Sequence, residues 1–187
     1  FAARAWWLAC RLGHPQAHVL DGGFRAWQAA GGAVETGPPA EPAPAPAWPV
    51  RAALVPLAEA SDVLGTLRAE HPLVDARSPQ RFQGLSEPID PLAGHIPGAR
   101  CMPHTENLGA DGRFLDAGAL HARWAPVLGE DPAHAISYCG SGVTAAHNVL
   151  AAVAAGLPAP RLYVGSWSEW ITDPSRPVAS GPGPARS

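Results

Sequence analysis

The tightest constraint on this chain's fold is a short apolar segment that ends in a glycine-punctuated turn and continues into an alanine-rich helix, spanning Ala135 to Ala155. Ala135-Ile136-Ser137-Tyr138 is short and apolar, with a β-branched residue, and reads as a buried strand. Val143 to Ala155 is mostly Ala, Leu and Val, which suits a buried helix. Cys139-Gly140-Ser141-Gly142 lies between them, so Cys139 sits at a strand-to-helix crossover. Gly140 and Gly142 permit a tight turn in which successive backbone N–H groups face inward. The helix that follows adds its positive end, and anionic sulfur is favoured there. A cysteine is more often a small buried apolar residue than a nucleophile. A core cysteine, however, needs no Gly-Ser-Gly after it, and the pattern marks Cys139 as the reactive atom.

The rest of the chain repeats the alternation. A helix is expected from about Pro56 to Ala69, a strand over Leu73–Asp75, a strand over Ala99–Met102, a helix over Ala117–Val127, a strand over His134–Tyr138 and another over Arg161–Tyr163. Strands alternating with helices predict an α/β fold: a mainly parallel central sheet with helices on both faces and sites at the carboxyl ends of the strands. Cys139 and the stretch from Asp75 to Arg81 both fall at such ends.

The opening residues do not close on themselves. Phe1 to Leu12 reads as a helix with Trp6, Trp7 and Leu8 on its apolar side. A turn at Gly13-His14-Pro15, a short strand from Ala17 to Leu20 and a second helix from Gly22-Gly23 to Ala30 follow. One strand and two helices make no closed core, so residues 1–36 are expected to be the last part of a domain whose bulk lies upstream. That segment is expected to be mobile, or docked only through Trp6, Trp7 and Trp27. Residues 37–50 are a proline-alanine run, extended and semi-rigid by composition, and read as a linker in which Trp48 packs on a flanking domain. Residues 51–179 then form the main domain, and the Pro/Gly/Ser-rich end from Pro174, 180–187 above all, is expected to be a loose tail.

Composition narrows the classes of function. A net charge of -3 with scattered basic residues offers no stripe for nucleic acid. No apolar run approaches the roughly 18 residues of a membrane span, and no targeting segment is evident. The three cysteines, Cys10, Cys101 and Cys139, lie far apart with no CxxC pair, against both a disulfide framework and a zinc site. Small-molecule partners and a reducing cytoplasm are the expectation.

Cys139-Gly140-Ser141-Gly142-Val143-Thr144-Ala145 resembles the active-site loop of the rhodanese family, in its mercaptopyruvate-type form. Asp75-Ala76-Arg77, Arg81-Phe82-Gln83-Gly84, Gly94-His95-Ile96-Pro97-Gly98-Ala99 and Gly165-Ser166-Trp167-Ser168-Glu169-Trp170 are similar to family signatures in the same order. Val19 to Trp27 is similar to the end of the first domain of two-domain members. The resemblance implies a rhodanese-like domain preceded by the remnant of a second one, and a sulfurtransferase needing no metal or cofactor beyond a covalent Cys139 persulfide. A small donor such as 3-mercaptopyruvate or thiosulfate would load the sulfur. Cyanide, a small thiol or a thioredoxin-like protein would accept it.

The same resemblance assigns roles. The N–H groups of Gly140, Gly142, Val143, Thr144 and their neighbours would hold the persulfide anion, and Ser141 would help move protons. Thr144, at the helix start, is expected to cap the helix, contact the substrate, or both. Arg81 would grip the donor carboxylate, for which a planar guanidinium is suited. Mercaptopyruvate-type members carry a second arginine nine residues later, where this chain has Asp90 in a loop two residues shorter. Arg77 is expected to be structural, paired with a carboxylate. His95 is expected to bond backbone, and Trp167 and Trp170 to pack beneath the loop.

Two other readings compete. A Cys-based phosphatase or arsenate reductase of related fold would use a loop one residue longer that ends in arginine, whereas the residue six past Cys139 is Ala145. A non-catalytic rhodanese-like module would be expected to lack the cysteine.

Overall fold

The computed structural model describes residues 1–39, 41, 43–44, 46–129 and 131–183. A five-stranded sheet is built from β1 (Leu57–Ala58), β2 (Leu73–Asp75), β3 (Arg100–Cys101), β4 (Ile136–Tyr138) and β5 (Arg161–Tyr163). Its order is β1-β5-β4-β2-β3, with every pairing parallel. Parallel neighbours need crossovers, and α3 (Ala60–Ala69), α5 (Ala117–Leu128) and α6 (Val143–Ala154) supply them. The strands are short, and the central ones, β2 and β4, are buried on both sides: Leu73 faces one apolar cluster with Val63, Phe82, Trp167 and Trp170, and Val74 faces another with Trp124, Leu128 and Ala151. The expected α/β architecture, helices on both faces, is therefore found.

β1 was not expected. The helix predicted from Pro56 begins at Ala60, where Glu59 and Asp62 cap each other's backbone, the Glu59 N–H donating to Asp62 Oδ2 at 2.8 Å. Leu57 and Ala58 are thereby released to pair with Leu162 and Tyr163 at the sheet edge. The Glu59-x-x-Asp62 spacing was the available signal for this boundary.

The opening segment forms α1 (Ala2–Arg11) and α2 (Gly23–Ala29). Its expected strand over Ala17–Leu20 does not form, since no strand among the described residues pairs with it. α1 is not loose: it packs along α6 and buries Ala3, Trp7 and Cys10, with Trp7 in the same apolar cluster as Cys139, Ala146 and Val149. The face is set by Ala3, Trp7 and Cys10, at helical spacing, and Leu8 points out, 46% exposed. Trp27 stays with its own segment, its indole N–H donating to the Ala33 carbonyl. Trp48 stacks on His14 with ring centroids 4.2 Å apart, and the Arg51 and Leu54 N–H groups bond the end of α1. Of the proline-alanine run, Ala40, Pro42 and Ala45 lie outside the described residues.

The expected loose tail is tied down as far as it is described. His95 and Ala179 exchange two backbone hydrogen bonds, the Trp170 indole donates to Pro177, and the Gly181 N–H donates to Gln83. The His95–Ala179 pairing needs Gly94 to leave room, since a Cβ there would lie 2.4 Å from the Ala179 oxygen. Residues 184–187 lie outside the described residues.

Candidate active site

β4 ends at Tyr138 and delivers Cys139, 2% exposed, to the floor of a pocket of about 260 Å³. The chain then turns through Gly140, Ser141 and Gly142 into α6. Gly142 has φ +74°, and a Cβ on it would meet the Val164 oxygen at 2.6 Å, so only glycine fits. Gly140 is different. It does not adopt positive φ; a Cβ there would instead crowd the Arg81 guanidinium at 3.4 Å. Its role is space for that side chain rather than turn geometry.

The loop that follows Cys139 carries a run of uncommitted backbone donors. The backbone N–H groups of residues 140–145 find no acceptor among the described residues, while the loop is pinned from outside. The Ser166 hydroxyl accepts from the Cys139 N–H at 3.1 Å, and the Cys139 and Gly140 carbonyls accept from the Trp167 and Ser168 N–H groups at 3.0 and 2.9 Å. The last three of the six free donors are the first turn of a 12-residue helix, with its positive dipole end. Ala145, buried at 0% exposure, stands where a phosphatase loop would carry its arginine. Among the described residues no group of three or more His, Cys, Asp or Glu side chains is gathered as metal ligands would be.

Ser141, Val143, Thr144 and Arg81 all line the pocket with Cys139. The Ser141 hydroxyl bonds neither its own backbone nor any other described residue. Thr144 is not a cap: the N-cap position is Gly142 and no side chain caps α6. Arg81 sits on a one-turn helix, α4 (Pro79–Phe82), and its guanidinium is already partly engaged. Its Nε and Nη2 donate to Glu87 at 3.0 and 2.6 Å, and Nη2 also reaches Asp90 Oδ2 at 3.3 Å. Burial works to raise the Glu87 carboxyl, but hydrogen bonds from Arg81 and from the N–H groups of Asp90 and Ile89 outweigh it and hold it low.

Behind this rim lie the expected structural pairs. Arg77, its side chain 1% exposed, binds Asp75 Oδ2 and the Gly94 carbonyl at 2.7 Å each and lies over the Trp167 ring at 4.8 Å. Burial opposes its charge, and Asp75 beside it more than offsets this, raising the guanidinium pKa. His95 is bonded through Nδ1 to the Phe82 carbonyl at 2.8 Å and stacks on the Phe82 ring. Trp167 and Trp170 are fully buried.

Three residues escaped the sequence reading. Ser168 lies 2.7 Å from Asp90 Oδ1 and 2.8 Å from the Gly140 carbonyl, with one hydroxyl proton for the two acceptors. Phe1 edges the pocket. Arg4, one turn along α1, carries a buried Nη1 with no hydrogen-bond partner among the described residues and lies over the Trp7 ring at 5.0 Å. Burial pulls its pKa down, and interaction with Cys139 works against that. No local pattern ties residue 4 to residue 139; only the packing of α1 on α6 does.

An all-parallel α/β domain with a buried cysteine at the tip of a central strand, followed by a glycine turn into a helix, defines the class. The sequence matches the Rhodanese-like domain over residues 58–173, and the chain belongs to that family. It is 51% identical over 184 residues to a probable 3-mercaptopyruvate sulfurtransferase of Pseudomonas aeruginosa, covering 97% of this chain and 64% of that protein. It is 42% identical over 191 residues to a putative thiosulfate sulfurtransferase of Mycobacterium tuberculosis, covering 96% and 63%. The fold superposes on the Tum1 protein from Saccharomyces cerevisiae with a TM-score of 0.80 at 26% identity, covering 97% of this chain and 66% of that one. The chain thus spans somewhat under two thirds of the curated relatives it matches. Among the described residues no helix is long and apolar enough to cross a membrane.

Proposed function

We propose that this chain carries the sulfur-transferring half of a cytoplasmic tandem-domain sulfurtransferase, with residues 1–36 the end of the preceding domain and 37–50 the linker. Cys139 takes one sulfur from 3-mercaptopyruvate, or from thiosulfate, and passes it to a small thiol, a thioredoxin-like protein or cyanide. The observation that supports this reading is the buried Cys139 lining the pocket, followed by six consecutive residues whose amides meet no acceptor among the described residues. The names of the two bacterial relatives point to the same chemistry.

In the first half-reaction the Cys139 thiolate attacks the donor's sulfur. With mercaptopyruvate the carbon–sulfur bond breaks, its electron pair goes to carbon as the enolate, and the donor's thiol proton ends on the methyl group of pyruvate. With thiosulfate the sulfur–sulfur bond breaks and sulfite leaves with the pair. The Cys139 persulfide anion is held by the amides of residues 140–145. An acceptor thiolate then attacks the outer sulfur and Cys139 leaves as thiolate. The free Ser141 hydroxyl in the pocket is the group that passes the proton. Arg81 binds the donor's anionic end.

Intact-mass analysis after treatment with mercaptopyruvate tests this. One added sulfur is expected on the wild-type chain and none on Cys139→Ser. Sulfur still carried by the variant, or located on Cys10 or Cys101 in the wild type, would sink the assignment.

A further inference from the structure

The pocket above Cys139 contains its own carboxylate. Arg81 is the basic residue lining it, and its donors are unequally used. Glu87 takes the Nε side of the guanidinium in two short bonds and is itself locked: its side chain is 3% exposed, and it also accepts from Arg77 Nη1 at 3.3 Å and from the N–H groups of Ile89 and Asp90 at 3.1 and 3.2 Å. The other edge, Nη1 and Nη2, is the fork a planar carboxylate would bind end-on. On that edge Nη1 makes no hydrogen bond to any described residue, and Nη2 is shared with Asp90 through one longer contact of 3.3 Å. Asp90 lines the pocket, and its second oxygen rests on the Ser168 hydroxyl at 2.7 Å.

We propose that Asp90 is a specificity-determining residue that occupies part of the carboxylate seat of this site and competes with the donor for the open edge of Arg81. A donor monocarboxylate binds the fork of Nη1 and Nη2 only as Asp90 gives up its contact, and it does so against the charge Asp90 leaves at the rim. Glu87 cannot play this part, because several donors hold it and it keeps the guanidinium in place. A doubly charged donor meets the same carboxylate at greater cost, so Asp90 also favours a monoanion over a dianion. The proposal rests on the function given above for what the donor is, not for where an anion binds.

The test reads binding without sulfur transfer. Cys139 is alkylated with iodoacetamide in the presence of increasing pyruvate, each protein being referred to its own rate without pyruvate. In Asp90→Asn, which can still accept from Ser168, the half-protecting pyruvate concentration is expected to fall about tenfold, the worth of one charge-assisted contact regained. In turnover the same variant is expected to lower KM for mercaptopyruvate, with a larger proportional gain for thiosulfate. Asp90→Ser provides a second variant should the first fold poorly, with the same direction expected. Unchanged or weaker protection in both variants, or no protection by pyruvate in any of them, overturns the proposal. A fall in the protecting concentration in a protein that transfers no sulfur would leave it standing and reject the proposed reaction instead.

Discussion

At the scale of single residues, the two loop glycines look alike in sequence but do different work. Gly142 is required twice over, by its positive φ and by the Val164 carbonyl where its Cβ would be. Gly142→Ala is expected to destabilise the protein by about 2 kcal/mol or more and to disturb the Cys139 loop, since both strain and a backbone clash must be relieved. Gly140→Ala is expected to change stability by no more than about 0.5 kcal/mol, because its φ is not positive and the nearest atoms to an added Cβ, those of the Arg81 guanidinium, lie at 3.4 Å, the edge of ordinary contact. Its effect should appear in donor KM, through Arg81. Urea unfolding separates the two variants, and equal losses of stability would contradict this division. The sequence shows that turn residues surround a cysteine; which glycine bends the chain and which makes room depends on Val164 and Arg81, distant in sequence.

At the scale of elements, the decisive contact is α1 on α6. Judged alone, α1 belongs to a segment with no sheet to join, which is why mobility was the natural expectation. Its Ala3, Trp7 and Cys10 face instead finds the apolar flank of α6, and this brings Arg4 within electrostatic reach of Cys139. Arg4→Gln is expected to slow alkylation of Cys139 at neutral pH by about twofold to fivefold, matching the few tenths to one kcal/mol of a partly exposed charge pair, and Arg4→Lys to restore most of it. Stopped-flow alkylation with matched thermal unfolding checks this. A variant that melts earlier but reacts at the wild-type rate would make Arg4 a packing residue only.

At the scale of the whole molecule, stability should depend on pH through His147, on α6, which lies between the opening segment and the stretch from His104 to Phe114. His147 stacks on Phe114 at 4.6 Å, and its Nδ1 lies 3.3 Å from the Asn107 amide. Burial, with His104 nearby, lowers its pKa to about 4. A histidine with a folded pKa below its unfolded value near 6.5 takes up its proton more readily in the unfolded chain. The stability it contributes is therefore complete above about pH 6.5 and is lost as pH falls towards 4. Between pH 7 and pH 5 the loss is expected to be up to about 2 kcal/mol, less if water reaches the ring. Urea titrations at the two pH values should show it, and His147→Gln should flatten the difference. A wild-type protein equally stable at both would rule this out.

The sequence by itself determined the order of strands and helices around Cys139, the parallel sheet and the membership of the loop, because period and turn chemistry are local and survive in any context. It also marked Arg77 and His95 as structural. What it could not determine were the interactions that depend on long-range packing: the edge strand at Leu57–Ala58, the binding of the C-terminal stretch to His95, the docking of α1, and the capture of Arg81 by Glu87 and Asp90. A two-residue strand has no period to read, and a salt bridge is specified by where side chains end rather than by where they begin. The tertiary structure alone decided that the arginine expected to bind a donor is already held by two carboxylates, because only the folded loop brings Glu87 and Asp90 to the Arg81 guanidinium at the pocket.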